Sequence, residues 1–196
     1  GAIDWSGENP GMYLKDRADG PFVSLISYFR VVHSPHGKGH AAFMLLDPFG
    51  DGLGADRPNV CLTDNEPLAD YLKKGFVSFF GAFKGATGLG NVQVKPAWDF
   101  MAGGDGRTVH TEWFRSAIGQ VNLSWNQLSA PFLVEFDQEH SATGKHEMIS
   151  LFVDSRACSA TINGNPVSGQ AFPREFAGKK DSSTAFLAFS ETWIKA

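Results

Sequence analysis

From Pro21 to His33 the chain carries apolar side chains at odd and even positions alike, in the run Phe22-Val23-Ser24-Leu25-Ile26-Ser27-Tyr28-Phe29-Arg30-Val31-Val32. That pattern reads as a long strand covered on both faces, and such a strand belongs in the middle of a sheet. The turn-rich Ser34 to Gly39 then leads into His40 to Leu46, which suits a hairpin partner, and Asn59 to Thr63 is the next extended run. One segment has the helical period instead. Asp64 or Asn65 is available as a cap, Pro67 falls in the first turn, Leu68, Tyr71 and Leu72 share a side, and Gly75 closes the end. A short helix is therefore expected over 65–75, across an end of the sheet. Phe76 to Phe83 returns to strand character, and the glycines from Gly85 to Gly90 break it.

Beyond that break the pattern is a meander. Val92, Val94, Trp98 and Phe100 share one parity, and the partner strand after Gly103-Gly104-Asp105-Gly106 sets Val109, Thr111 and Trp113 against His110, Glu112 and Phe114. Matched parity predicts that Trp98 and Trp113 share a face. Further strands are expected over 120–125, 131–138, 146–154, 157–162 and 183–189, with Asn163-Gly164 the strongest hairpin dipeptide. The expected fold is all-β and mostly antiparallel, a β-barrel or two-sheet β-sandwich of about ten strands with one short helix near 65–75. A barrel is preferred because Leu133 lies between Phe132 and Val134, and Met148 and Phe152 interleave with Ile149, Leu151 and Val153, so both surfaces of the sheet need cover.

Composition bounds the function. The 196 residues suit a single domain spanning 1–196, and 17 phenylalanines against three tyrosines reinforce the β reading. A net charge of −4, with Lys73-Lys74 and Lys179-Lys180 as the clustered cations, argues against nucleic acid as a partner. No apolar run approaches the roughly 18 residues of a membrane-spanning helix, and no leader segment is recognisable at Gly1-Ala2-Ile3-Asp4, so the chain reads as soluble. Cys61 and Cys158 both sit in apolar strand sequence, where cysteine behaves as a small hydrophobe with a raised thiol pKa; their pairing is not legible.

Several clusters are candidates for chemistry. His33, His36 and His40 flank one turn, which could bring imidazoles together on zinc or another transition metal, although Pro35-His36-Gly37-Lys38-Gly39 is equally ordinary exposed-turn sequence. Asp47, Asp51 and Asp56 could offer carboxylates to calcium, although their spacing departs from an EF-hand loop. No organic cofactor is expected, since Gly50, Gly52 and Gly54 are followed by Pro58 and an extended run rather than by the helix a dinucleotide fold requires. His110 and Glu112 leave one face of a strand together, so the carboxylate could set the imidazole's tautomer for acid/base work. Simple alternation favours the opposite arrangement, with Trp113 in the core and His110 and Glu112 in water.

A tryptophan near the N-terminus followed by a long meander of Phe-rich strands resembles lipocalin-type small-ligand barrels. Gly1-Ala2-Ile3-Asp4-Trp5 departs from their Gly-x-Trp opening, so no residue role is carried over. The first functional expectation is a barrel interior, lined in part by Trp98, Phe100 and Trp113, that binds a hydrophobic or aromatic small molecule. The alternative is a cofactor-independent isomerase, cyclase or lyase with His110 and Glu112 as acid and base. A third expectation is a carbohydrate-binding sandwich with sugar-stacking tryptophans.

Overall fold

The computed structural model describes residues 2–194. In chain order the strands are β1 (Ile3–Glu8), β2 (Gly11–Lys15), β3 (Phe22–His33), β4 (Gly39–Leu45), β5 (Asn59–Thr63), β6 (Gln93–Gly104), β7 (Val109–Ser116), β8 (Gly119–Leu128), β9 (Phe132–Phe136), β10 (His146–Ile162), β11 (Asn165–Pro166), β12 (Pro173–Phe176), β13 (Lys179–Ser183) and β14 (Ala185–Ile194). Helix α1 (Glu66–Gly75) and the single turn α2 (Gly81–Lys84) lie between β5 and β6. Pairing runs β14-β2-β3-β4-β5-β6-β7-β8-β10 and returns from β10 to β14, closing a nine-stranded barrel, while β12 and β13 form a separate small sheet. All barrel pairs are antiparallel except β5 with β6, which the helical segment joins as a parallel crossover. Lipocalin barrels, by contrast, are eight-stranded and up-and-down.

Two apolar cores share one barrel wall. Met12, Ile26, Tyr28, Met44, Leu62, Phe114, Val121, Leu123, Trp125 and Leu187 fill the lumen. The opposite parity, including Tyr13, Leu25, Phe29, Phe43, Phe152 and Phe186, lies outside and is buried beneath α1, α2 and their flanking turns. This explains the two-sided apolar pattern of β3: Ile26 and Tyr28 face in, Leu25 and Phe29 face the cover. Trp125, Tyr28 and Phe114 are fully buried within it, and side chains fill the interior of small barrels in this way.

The helix is where its pattern placed it. Asn65 is the cap, its Oδ1 accepting from Leu68 N at 3.1 Å, while Asp64 instead accepts from His40. The strand expected at Phe76 to Phe83 is corrected: Val77–Phe79 is a 3₁₀ turn and Gly81–Lys84 a helical one. Phe76, Phe80 and Phe83 recur at four and three residues, a helical spacing that turns them all onto the barrel wall. The two runs expected over 146–154 and 157–162 are one continuous strand, β10. Asn163 and Gly164 both take positive φ (51° and 79°) at the following turn, as a two-residue type I′ hairpin demands.

A bulge in β6 keeps Trp98 and Trp113 on one face but parts Phe100 from Trp98, with which it shares a parity in the sequence. Trp98 pairs with Arg115 but Met101 pairs with Trp113, so β6 carries one extra residue, and Asp99 takes a φ of 57° to accommodate it. Parity reverses across the bulge. Trp98 and Trp113 both stay on the outside, Trp98 at 45% exposure, and only Phe100 turns into the barrel.

Candidate functional site

Two of the places on the barrel that combine polar groups with accessible space are candidates. The first is the barrel mouth. With Phe114 in the lumen, strand alternation turns His110 and Glu112 inward too, so the arrangement favoured by simple alternation is corrected and the pair shares the core face. His110 Nε2 lies 3.0 Å from Glu112 Oε1. Arg30, from the adjacent rim on β3, donates to Glu112 Oε2 at 2.5 Å and lies 3.9 Å from Glu8 Oε2. Glu112 is thus a fully buried carboxylate with both oxygens engaged, by a guanidinium on one side and an imidazole on the other.

Below them the Tyr28 hydroxyl is buried without a hydrogen-bond partner, and burial together with the Glu112 charge pushes its pKa well above the usual phenol range. Phe100 stacks on His40 at 4.1 Å and on Phe114 at 4.9 Å, closing the lumen at this end. Gly7 lets β1 cross β3 here: a Cβ at that position would stand 2.1 Å from the Arg30 carbonyl oxygen. Beside the mouth, Val32, Leu133, Leu151 and Phe189 are exposed along an open groove.

Glu8, His110 and Glu112 bring ligating atoms within 4.8 Å of one another, the one such group among the described residues. Arg30 already supplies the positive charge that a metal ion would bring to these carboxylates, and a cation entering beside it meets direct repulsion. The residues expected to hold a metal do not converge. His33 is exposed, His36 lies tilted against the Tyr71 ring with centroids 4.7 Å apart, and His40 Nδ1 pairs with Asp64 at 2.7 Å. Asp47 and Asp51 instead accept backbone N–H groups of their own loop, from Gly52 and Leu53, and Asp56 joins neither. The extended loop geometry spends these side chains on turn hydrogen bonds and points the histidines in different directions.

The second place is a cavity of about 280 Å³ on the outer wall of the barrel, opposite the lumen face of β10 and β14. The wall is built from alternate residues: Met148 and Phe152 on β10, Phe186, Ala188, Ser190 and Thr192 on β14, with Tyr13 and Trp5 from β2 and β1. Small side chains at Ala188 and Ser190 leave the hollow between large ones. Phe76, Phe80 and Ala82 of the helical cover, Phe136 of β9, and Arg174 and Phe176 of β12 complete the lining.

Most polar side chains around this cavity are already engaged. His146 Nδ1 pairs with Thr143 at 2.7 Å and Nε2 with Asp4 at 2.6 Å, while Ser190 pairs with Ser150 at 2.6 Å. Burial holds the His146 pKa below the ordinary histidine value despite the opposing pull of Asp4. Arg174 is different. Its guanidinium lies 4.6 Å from the Phe176 ring centroid, 4.8 Å from Phe186 and 5.6 Å from Tyr13, and its Nε is buried without a partner. Burial lowers its pKa and also pushes the Tyr13 phenol up to about 12.

Of the residues singled out from sequence, His110, Glu112 and Phe100 meet near the mouth, whereas Trp98 and Trp113 lie outside and line neither place. The Trp113 ring is overlaid by Arg115 at 5.6 Å. Sequence reasoning missed Arg174, whose strand was not anticipated, and Arg30, whose partner lies 82 residues away. The available signal for the cavity was the mixture of Phe, Ala and Ser on one parity of 186–190, adjacent to an apolar 146–154. Cys61 and Cys158 are free thiols, with burial pushing their pKa values up to about 12 and about 11. No helix among the described residues is long and apolar enough to cross a membrane. Comparison of the chain with protein-family models, curated proteins and solved structures finds no match.

Proposed function

We propose that this protein binds a hydrophobic small molecule, and that it does so in the aromatic cavity on the outer wall of the barrel rather than in the lumen. The observation that carries the reading is the cavity itself. A partly open hollow of about 280 Å³ walled by Trp5, Tyr13, Phe76, Phe80, Phe152 and Phe186 offers a concave, mostly aromatic surface. Its size stands at the lower end of small-molecule sites, roughly 300–1,000 Å³, and its lining of aromatics with few polar groups matches their usual chemistry. Seating an apolar molecule there restores the dispersion contacts that the empty wall lacks.

The test uses N-phenyl-1-naphthylamine, a neutral apolar fluorophore, titrated into the wild type and into Ala82→Trp, which fills the cavity from its cover. Enhanced, saturable emission with the wild type and its loss in the filled variant is the expected result. Binding that Ala82→Trp leaves intact, in a variant that still unfolds cooperatively, places the probe elsewhere and overturns the reading.

A second reading, proton-transfer catalysis at the barrel mouth, is favoured by the 3.0 Å contact between His110 and the fully buried Glu112. Both Glu112 oxygens are engaged, so in this reading Glu112 positions the ring and His110, the more accessible partner, moves the proton. Solvent-deuterium exchange beside the carbonyl of small ketones, followed by NMR, tests it. Exchange no faster than in buffer, or unchanged in His110→Ala, removes it.

A further inference from the structure

The cavity contains a cation with no ion-pair contact, on which the Asp154 carboxylate acts only from a distance. Arg174 enters from β12 between Tyr13, Phe176 and Phe186, and no carboxylate of a described residue lies within 4.0 Å of its guanidinium. The nearest buried acid, Asp154, is already satisfied: Lys179 Nζ stands 2.6 Å from Oδ2, and Ser182 Oγ and Ser183 N donate to Oδ1 at 2.7 and 3.1 Å. Ring faces attract a guanidinium but accept none of its in-plane hydrogen bonds. A half-buried charge with its Nε cut off from solvent is costly unless something pairs with it.

The remaining polar groups point the same way. The buried side-chain atoms bordering the cavity that lack partners are Arg174 Nε and Trp5 Nε1, and both are N–H donors. His146 is held by Thr143 and the Asp4 carboxylate, and the Ser190 and Thr192 hydroxyls by Ser150 and by the Trp5 backbone. What the site lacks is therefore an acceptor, preferably a charged one, next to a large apolar surface.

Resting on the reading that this cavity binds a ligand, we infer that the ligand is an amphipathic acid, a carboxylate carrying an aliphatic or aromatic body, with Arg174 receiving the carboxylate and the aromatic wall the body. The planar guanidinium fork matches a carboxylate in a way an ammonium group does not. Arg174 then acts as the specificity determinant of the site: neutral or cationic molecules of the same shape gain the apolar contacts and not the ion pair.

Decanoate, decanol and decylamine, which share a chain and differ in headgroup, are the probes. Each is titrated against wild-type protein holding N-phenyl-1-naphthylamine, with displacement of fluorescence as the readout, at a pH where decanoate is ionised. The expected order is decanoate tighter than decanol by at least tenfold, with decylamine weakest. In Arg174→Met the decanoate preference falls to within about twofold of decanol while decanol affinity is retained; Arg174→Lys keeps part of the preference. Should Arg174→Met fail to fold, the wild-type series alone decides. Equal binding of decanoate and decanol by the wild type, or a preference that survives in a folded Arg174→Met, overturns the inference while leaving the cavity reading standing. Failure of the fluorophore and of all three probes to bind overturns both.

Discussion

Replacing Glu112 with glutamine isolates the electrostatics of the barrel mouth, because the side chain keeps its volume and loses its charge. Glu112 is fully buried and its two oxygens face Arg30 at 2.5 Å and His110 at 3.0 Å. Removing one partner of a buried ion pair costs about 3–5 kcal/mol, most of it from the charge left behind. Arg30 is 27% exposed and retains Glu8 at 3.9 Å, so its stranded charge is partly rehydrated and partly paired. We therefore expect a loss of about 2–3 kcal/mol for Glu112→Gln, which for a chain of this size is a drop of roughly 4–12 °C in Tm.

The Arg30→Met/Glu112→Leu double variant should recover stability to within about 1 kcal/mol of wild type, since apolar replacement of a whole buried pair is often neutral. Urea unfolding followed by tryptophan emission measures both, with Trp125 reporting locally from 5.8 Å beside His110. A Glu112→Gln variant within about 0.5 kcal/mol of wild type refutes the reasoning, because it means that the charge contributes nothing in its buried setting.

Three other outcomes are expected. Trp125→Ala should cost about 3–5 kcal/mol, since the ring is fully buried in the lumen and its Nε1 donates to Gly11 O at 2.9 Å, whereas Trp98→Ala on the outer face should cost less than about 1 kcal/mol; equal costs in chemical denaturation would contradict the placement of Trp98 outside the barrel. The native His146 pKa is lowered, chiefly by burial, so its stabilising contribution is fully present above the ordinary histidine value of 6.5 and is lost as pH falls through the lowered native value. Asp4, Lys145, Thr143 and the Phe76 ring surround it, and unfolding midpoints between pH 4 and 8 should fall less steeply in His146→Gln than in wild type. Iodoacetamide at pH 8 should modify Cys158 before Cys61, whose buried thiol is pushed up to about 12; mass spectrometry of the timed reaction gives the order, and early labelling of Cys61 would mean that the helical cover opens readily.

The sequence by itself determined the all-β class, most of the barrel strands and the helix over 66–75, because alternation, turn dipeptides and caps are local properties. The two-sided apolar pattern of β3 also announced a barrel wall covered on its outer face, since a residue must be apolar whichever core it enters. It paired His110 with Glu112 by the same alternation but favoured turning the pair to water; the burial of Phe114, Val121 and Leu123 around one lumen turned it inward. One extra residue at Asp99 was enough to part Trp98 from Phe100, because a bulge reverses every parity beyond it and leaves no composition signal.

Tertiary structure alone decided the rest. Arg30 meets Glu112 through strands four places apart in the barrel, and Arg174 meets Tyr13 and Phe186 only when the β12–β13 sheet folds back on the wall. Contacts between groups so distant in sequence are set by barrel closure, which fixes where each strand end arrives. The cavity is likewise a property of assembly: Ala188 and Ser190 are unremarkable residues in β14, and they become a hollow because the aromatic cover above them is held at the distance its larger neighbours require.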